Sequence, residues 1–458
     1  MNASKLKKKY GLPTAIAMVV GIVAGSGVFF KAESVLLATK GDVRTGIIAW
    51  VLVGLIMIIC ANTFSVLASR HENAGSMVDF AEAEVGPTFS FFLGWFMATI
   101  YYPSLTAILA WLTSRYICIL FAVDDVTGGM AMLFSALFLV LLFVTNALAP
   151  LLSGRLQVVT TIIKLIPLIS MAIMGTLAGL DSGMLARNFY TALPADTGNG
   201  LLTAAIAVAF AYEGWLIAVS INGELRNSRH NMPIALTVGT LIIVAIYVAY
   251  YIGLTGVVTV EDLMASGQRG AYQAFESIFG AGMGTALFIL VVISCFSTCN
   301  GLTVANCRSW YALASKDQLP PRFAELDPYS NMPLTSAIIS LLFSILWLVH
   351  FYGSNIAVPW FPDLFCFDSS ELPIVTIYTF YIPIFVMMMK REKGLRPFPR
   401  FILPSLAILC CLYMTYACVV AHRTRLIGYL IVFLADALFG LIVLRHQNRI
   451  NRNQNPSP

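Results

Sequence analysis

Val19-Val20-Gly21-Ile22-Val23-Ala24-Gly25-Ser26-Gly27-Val28-Phe29-Phe30 decides how the rest of the chain is read. It lies inside an apolar span running from about Leu12 to Leu37. A helix that crosses a bilayer needs ~20 apolar residues, so the span is long enough to cross. Its middle, however, is Gly25-Ser26-Gly27, three residues of weak helix propensity. Unwinding there releases backbone N–H and C=O groups, each costing several kcal/mol in hydrocarbon unless it meets a polar partner. Small residues also mark places where membrane helices touch closely. Taken alone, the triplet fits an opened helix or a packing face, and the remainder of the chain has to decide.

The 458 residues are 59% hydrophobic and only 11% charged, against roughly 25% charged residues in a soluble domain. The chain is an integral membrane protein. Lys5, Lys7, Lys8 and Lys9 precede a span too long for a cleavable signal. Of nine cysteines, Cys60, Cys118, Cys295, Cys299, Cys410, Cys411 and Cys418 lie in apolar spans and read as small hydrophobes, without metal-ligand spacing or a disulfide framework. A net charge of +5 gives no reason to expect nucleic acid.

Twelve apolar spans are expected, near 12–37, 44–69, 86–122, 130–149, 154–179, 199–222, 233–259, 282–312, 333–353, 358–389, 400–421 and 425–445. With the N-terminus cytoplasmic, the cytoplasmic segments carry 19 Lys and Arg and the outer ones seven. The positive-inside rule therefore expects both termini in the cytoplasm. No connection is long enough for a separate domain, so the expectation is one membrane domain over 1–458.

Phe210-Ala211-Tyr212-Glu213-Gly214-Trp215 interrupts the sixth span with a carboxylate and a glycine, five spans after the first interruption. Paired breaks in corresponding positions of two five-helix halves point to a transporter built from inverted repeats. Opened half-helices present positive N-terminal ends to anionic groups, while freed carbonyls suit cationic ones. A zwitterion carrying carboxylate and ammonium fits both. Lys164, about ten residues into span five, lies ~15 Å from the cytoplasmic end of its helix. A charge at that depth marks a functional site with a partner rather than a snorkelling side chain. Ser294, Ser297 and Asn300 share one face of span eight, with Thr298 beside them, although such hydroxyls also bond back onto their own helix. Tyr247 and Tyr101-Tyr102-Pro103 are weaker candidates, because tyrosines often anchor helices at interfaces.

No H-E-x-x-H, Walker loop, GxSxG elbow or intramembrane carboxylate pair is present, which argues against an enzyme. His71, His230, His350, His422 and His446 stand at span ends or in loops without ligand spacing. Glu72, Asp79, Glu82 and Glu84, with Arg226 and Arg229, read as solvated faces or as weak gate pairs.

Three segments resemble the L-type amino acid transporter family of the amino acid–polyamine–organocation superfamily. Ala24-Gly25-Ser26-Gly27-Val28-Phe29 resembles its G-S-G-I-F break, and Phe210-Ala211-Tyr212-Glu213-Gly214-Trp215 its F-x-Y-x-G-W break. Asn222-Gly223-Glu224-Leu225-Arg226-Asn227, with Arg229-His230-Asn231-Met232-Pro233, resembles its E-x-x-N-P-x-R-N-x-P loop. The departures are local: Asn73-Ala74-Gly75-Ser76 stands where P-x-G-G is usual, and Ser228 where proline is usual.

The resemblance implies an all-α, twelve-helix protein of the leucine-transporter fold. Its two inverted repeats would occupy 10–180 and 198–390, with two appended helices at 398–446. It implies alternating-access, sodium-independent exchange of small neutral L-amino acids such as alanine, serine and cysteine, with no cofactor or metal. The substrate carboxylate would meet Gly25, Ser26 and Gly27. The ammonium would meet carbonyls around Ile22, Val23 and Phe210, with Ala211, Glu213, Gly214 and Tyr247 completing the site and Phe210 acting as a gate. Lys164 would stand where sodium-coupled relatives hold an ion, bridging the first break to Ser294, Ser297 or Thr298. The pocket candidates include no basic group, which disfavours acidic substrates. Proton-coupled symport through Lys164 or Glu213, and exchange of cationic amino acids through Glu213, remain open. The loop Val123-Asp124-Asp125-Val126-Thr127-Gly128 lacks the cysteine that joins eukaryotic members to a heavy subunit. A stand-alone bacterial inner-membrane protein is therefore expected.

Overall fold

The computed structural model describes residues 11–71, 76–123, 126–149, 159–160, 163–190, 198–216, 219, 225–267, 269–355 and 359–454. Among these residues there is helix and no β-strand. The first span is two helices, α1 (Leu12–Val23) and α2 (Ser26–Ala38), separated by Ala24 and Gly25. Next comes α3 (Val43–Arg70), capped by the Asp42 carboxylate, which accepts from the Arg44 amide at 2.9 Å and the Thr45 hydroxyl at 2.6 Å. The short α4 (Met77–Glu84) opens with Ser76, whose hydroxyl accepts from the Asp79 amide and donates to its carboxylate. In α5 (Pro87–Leu120) a π turn at Met97–Tyr101 precedes Pro103. Proline has no N–H to give the ladder, and the wider turn absorbs the fault.

The remaining helices are α6 (Gly129–Leu148), α7 (Ile163–Asp181), α8 (Met184–Tyr190), α9 (Gly200–Ala211), α10 (Ser228–Thr255), α11 (Val260–Ser266), α12 (Arg269–Ala314), α13 (Leu334–Asn355), α14 (Leu372–Arg391) and α15 (Phe398–Asn453). Nine helices among the described residues are long and apolar enough to cross a membrane, and α15, at 56 residues, covers the last two expected spans. It bends at Arg423, whose φ is 39°, and α12 bends at Gly280, φ 76°. The two shorter apolar helices lie in the first and sixth spans, where breaks are expected. The stretches 180–198 and 260–281, expected as connections, contain α8, α11 and the first turns of α12. Outward residues such as Leu133, Leu137, Leu141, Leu177, Leu409, Leu412, Leu434 and Leu438 are exposed, as lipid-facing positions are.

The chain forms two compact units, each assembled from three separate stretches. The first takes Met1–Val85, Thr160–Ser294 and Ile374–Ala421. Within it α3 runs along α10, α1 packs on α10, and α2 packs on α9. Its interior is aromatic, with Trp50, Tyr212, Tyr247, Tyr250 and Tyr251 all fully enclosed. The second takes Gly86–Val159, Cys295–Pro373 and His422–Pro458, with α5 against α6 and α13. A core of Phe91, Trp95, Trp310, Leu313, Leu319 and Leu444 fills one end of it. Neutral amides and hydroxyls stitch its helices: Asn146 Nδ2 donates to Asn300 Oδ1 at 2.9 Å, Asn306 Nδ2 to Ser344 Oγ at 3.1 Å, and Trp347 Nε1 to the Thr99 carbonyl at 2.8 Å.

Candidate functional site

Both broken spans belong to the first unit. α1 ends at Val23, and the chain passes through Ala24 (φ −62°, ψ 99°) and an extended Gly25 (φ −155°, ψ −150°) before α2 begins at Ser26. A helix C-terminus leaves carbonyls without intrahelical donors and carries partial negative charge. Two side chains from other helices meet that need. The Lys164 ammonium, fully buried on α7, donates to the Gly21 carbonyl at 3.2 Å. The Tyr247 hydroxyl, from α10, donates to the Val23 carbonyl at 2.7 Å and accepts from the Gly25 amide at 3.3 Å. Tyr247 thus bridges the two ends of the break, a more specific position than an interface anchor. Across the break, Gly25 stands at the N-cap of α2 and has no side chain to offer its first amides, which lack intrahelical acceptors.

The second break follows α9. Tyr212 caps that helix, the Glu213 amide reaches back to the Phe210 carbonyl at 3.3 Å, and Gly214 stands at φ +103°. L-residues rarely adopt that conformation, which accounts for glycine there. Tyr212 donates to the Trp50 carbonyl at 3.1 Å and stacks on Tyr247 with ring centres 5.3 Å apart. One aromatic wall therefore braces both breaks. Glu213 is half-buried near Tyr378, Tyr381 and the Cys60 thiol.

The two breaks touch at Gly27. A Cβ there would sit 2.5 Å from the Ala211 Cα, so the backbones of α2 and α9 cross with nothing larger than hydrogen between them. The first break is accordingly both an opened helix and a packing face, and the two readings of its small residues are not alternatives. Phe210 is buried and meets Phe30 edge-on at 5.6 Å. Lys31 is also buried, its ammonium 4.9 Å from the Phe30 ring and 5.3 Å from the Phe210 ring. Lys31 thus adds a basic group beside Phe210, although the candidate residues themselves include none. In sequence Lys31 is one lysine at the edge of a span, and only its burial against Phe210 sets it apart.

Ile22 falls in the last turn of α1, and Ala211 closes α9. Ser294 is buried at the end of the first unit's part of α12, whereas buried Ser297 and half-buried Thr298 belong to the second unit. Asn222, Gly223 and Glu224 of the acidic loop, Asn73, Ala74 and Gly75, and Asp124 and Asp125 of the loop after α5 lie outside the described residues. Beyond the gap, Asn231 Nδ2 donates to the Arg226 carbonyl at 2.6 Å.

Paired broken helices in apolar spans, with a buried ammonium on one helix end, are the features of a carrier of small solutes. The protein-family model described as amino acid permease matches residues 10–443, and the chain belongs to that family. It is 30% identical over 398 residues to the serine/threonine exchanger SteT of Bacillus subtilis (strain 168), covering 85% of each chain. It is 24% identical over 452 residues to the human b(0,+)-type amino acid transporter 1, covering 97% of this chain and 89% of the relative. To the human cystine/glutamate transporter it is 24% identical over 341 residues, covering 73% and 66%. The protein is a multi-pass membrane transporter of amino acids of the leucine-transporter fold class, not an enzyme.

Proposed function

We propose that this chain exchanges small neutral L-amino acids, alanine, serine and cysteine among them, across a bacterial inner membrane by alternating access and without sodium. The first break carries this reading. Two oppositely polarised helix ends meet there within one unit, and the uncapped start of α2 suits a carboxylate while carbonyls of α1 and α9 suit an ammonium. Gly25, Ser26 and Gly27 receive the carboxylate, Ile22, Val23, Phe210 and Ala211 surround the ammonium, and Phe210 gates the site. Lys164 supplies a tethered ammonium where an ion would otherwise sit, and its contact with the Gly21 carbonyl supports that role. Ser294, in the same unit, is the hydroxyl partner on this reading. The printed name of the Bacillus subtilis relative, a serine/threonine exchanger, favours small substrates with hydroxyls. Lys31 beside Phe210 disfavours cationic side chains at the gate.

Both termini face the cytoplasm, following the Lys and Arg distribution. The chain works without a disulfide-linked subunit, since all nine cysteines are buried or half-buried. A second reading, proton-coupled or cationic transport through Glu213, has one observation in its favour, the carboxylate's place among Tyr378, Tyr381 and Cys60.

Radiolabelled serine and alanine uptake into proteoliposomes in sodium-free buffer separates the two. Uptake only into vesicles preloaded with amino acid supports exchange. Uptake into empty vesicles driven by an imposed pH gradient replaces it with the Glu213 reading, and loss of uptake on sodium removal refutes the role of Lys164.

A further inference from the structure

His71, Glu84 and Glu392 are far apart in sequence, and no spacing marks them as a group. The fold of the first unit brings them to one point. His71 caps α3, Glu84 ends α4, and Glu392 follows α14 directly. His71 Nε2 lies 2.9 Å from Glu84 Oε1 and 3.7 Å from Glu392 Oε1, and one ligand atom from each residue falls within 4.8 Å of the others.

Glu84 departs most from expectation. Sequence reading places it on a solvated face, yet its side chain is only 1% exposed. Its Oε1 faces His71, and its Oε2 is buried with no hydrogen-bond partner among the described residues. A buried carboxylate oxygen left unsatisfied is costly, and native proteins avoid it unless something binds there. The surroundings favour a cation. Arg70 Nε approaches the other oxygen of Glu392 at 3.4 Å, so one arginine stands beside the pair of carboxylates.

We propose that His71 Nε2 and one carboxylate oxygen each from Glu84 and Glu392 form a binding site for a divalent transition-metal ion, with zinc the best fit. Imidazole with carboxylate is a donor set that zinc accepts, at about 2.0–2.2 Å per ligand. Tetrahedral ligands at that radius stand roughly 3.4 Å apart, between the two measured separations. His71 and Glu392 are partly exposed, so an ion can enter from water and keep water in its fourth position. Arg391 Nη1 donates to the Ala83 carbonyl at 2.8 Å and already ties α4 to the end of α14. A bound ion joins the ends of α3, α4 and α14 more firmly, so it stabilises the protein and slows any cycle that separates them.

The test is isothermal titration of zinc chloride into the purified, metal-stripped full chain in detergent, paired with thermal melts. The expected result is one site per chain and a raised Tm. His71→Ala and Glu392→Gln each weaken that site by at least ~10-fold and remove the Tm shift. Glu392→Gln, at the partly exposed end of α14, keeps the test open where His71→Ala fails to fold. The absence of a zinc site in the wild type, or a site of undiminished affinity in folded Glu392→Gln, overturns the proposal.

Discussion

The two helix breaks are opened by opposite means. At the first, Ala24 and Gly25 take backbone conformations with negative φ, and side chains from α7 and α10 hold the gap. At the second, the opening is written into the chain itself, because Gly214 at φ +103° forbids the helix from continuing. The first break is therefore sensitive to residues about 140 and 220 positions away, while the second is sensitive to its own glycine. A break maintained by distant helices can follow their movement, and one fixed by local geometry stays open regardless. The difference suits a site in which one half-helix moves and the other serves as its reference.

The most damaging way to break this contrast is Lys164→Met. Removing the charged donor from the Gly21 carbonyl costs about 3 kcal/mol, roughly a hundredfold loss of uptake at saturating protein. Proteoliposome uptake normalised to folded protein measures it, and wild-type rates would remove Lys164 from the first break. Gly27→Ala comes next. A methyl group 2.5 Å from the Ala211 Cα forces backbone apart, at about 2 kcal/mol. It should lower the detergent melting temperature and transport together. Gly214→Ala strains only the second break, by about 1–2 kcal/mol, and circular dichroism melts should show it. Smallest is Tyr247→Phe, which keeps the aromatic stack on Tyr212 and removes one hydroxyl, for about 1 kcal/mol. Gly214→Ala combined with Tyr247→Phe sharpens the comparison. Additive melting shifts mean that the breaks are held independently, and a marked departure means that the shared aromatic wall couples them.

Much of this was legible before the structure. Both breaks announce themselves, since glycine and a carboxylate are conspicuous in an apolar helix. Lys164 does so for the same reason, its charge being out of place at that depth. Tyr247 is harder to see, because a tyrosine in a membrane helix has ordinary uses and its two bonds to the first break depend on how α10 packs on α1. Lys31 stands at a span edge like many interfacial lysines, and its burial against Phe210 is a product of tertiary packing alone. The His71, Glu84 and Glu392 cluster is invisible to any motif, as it joins the ends of three helices. Short helices such as α8 and α11 were missed because seven residues are too few for an apolar period to emerge. The π turn before Pro103 leaves no signature in hydropathy at all.

The crossing at Gly27 and Ala211 has a mechanical consequence. With no side chain between the two backbones, there is no soft material to absorb a displacement, and a tilt of α2 is passed to α9 without slack. The contact behaves as a fulcrum. Its stiffness comes from the side chain that Gly27 lacks and the single methyl that Ala211 keeps, and a larger residue at either one moves the pivot itself.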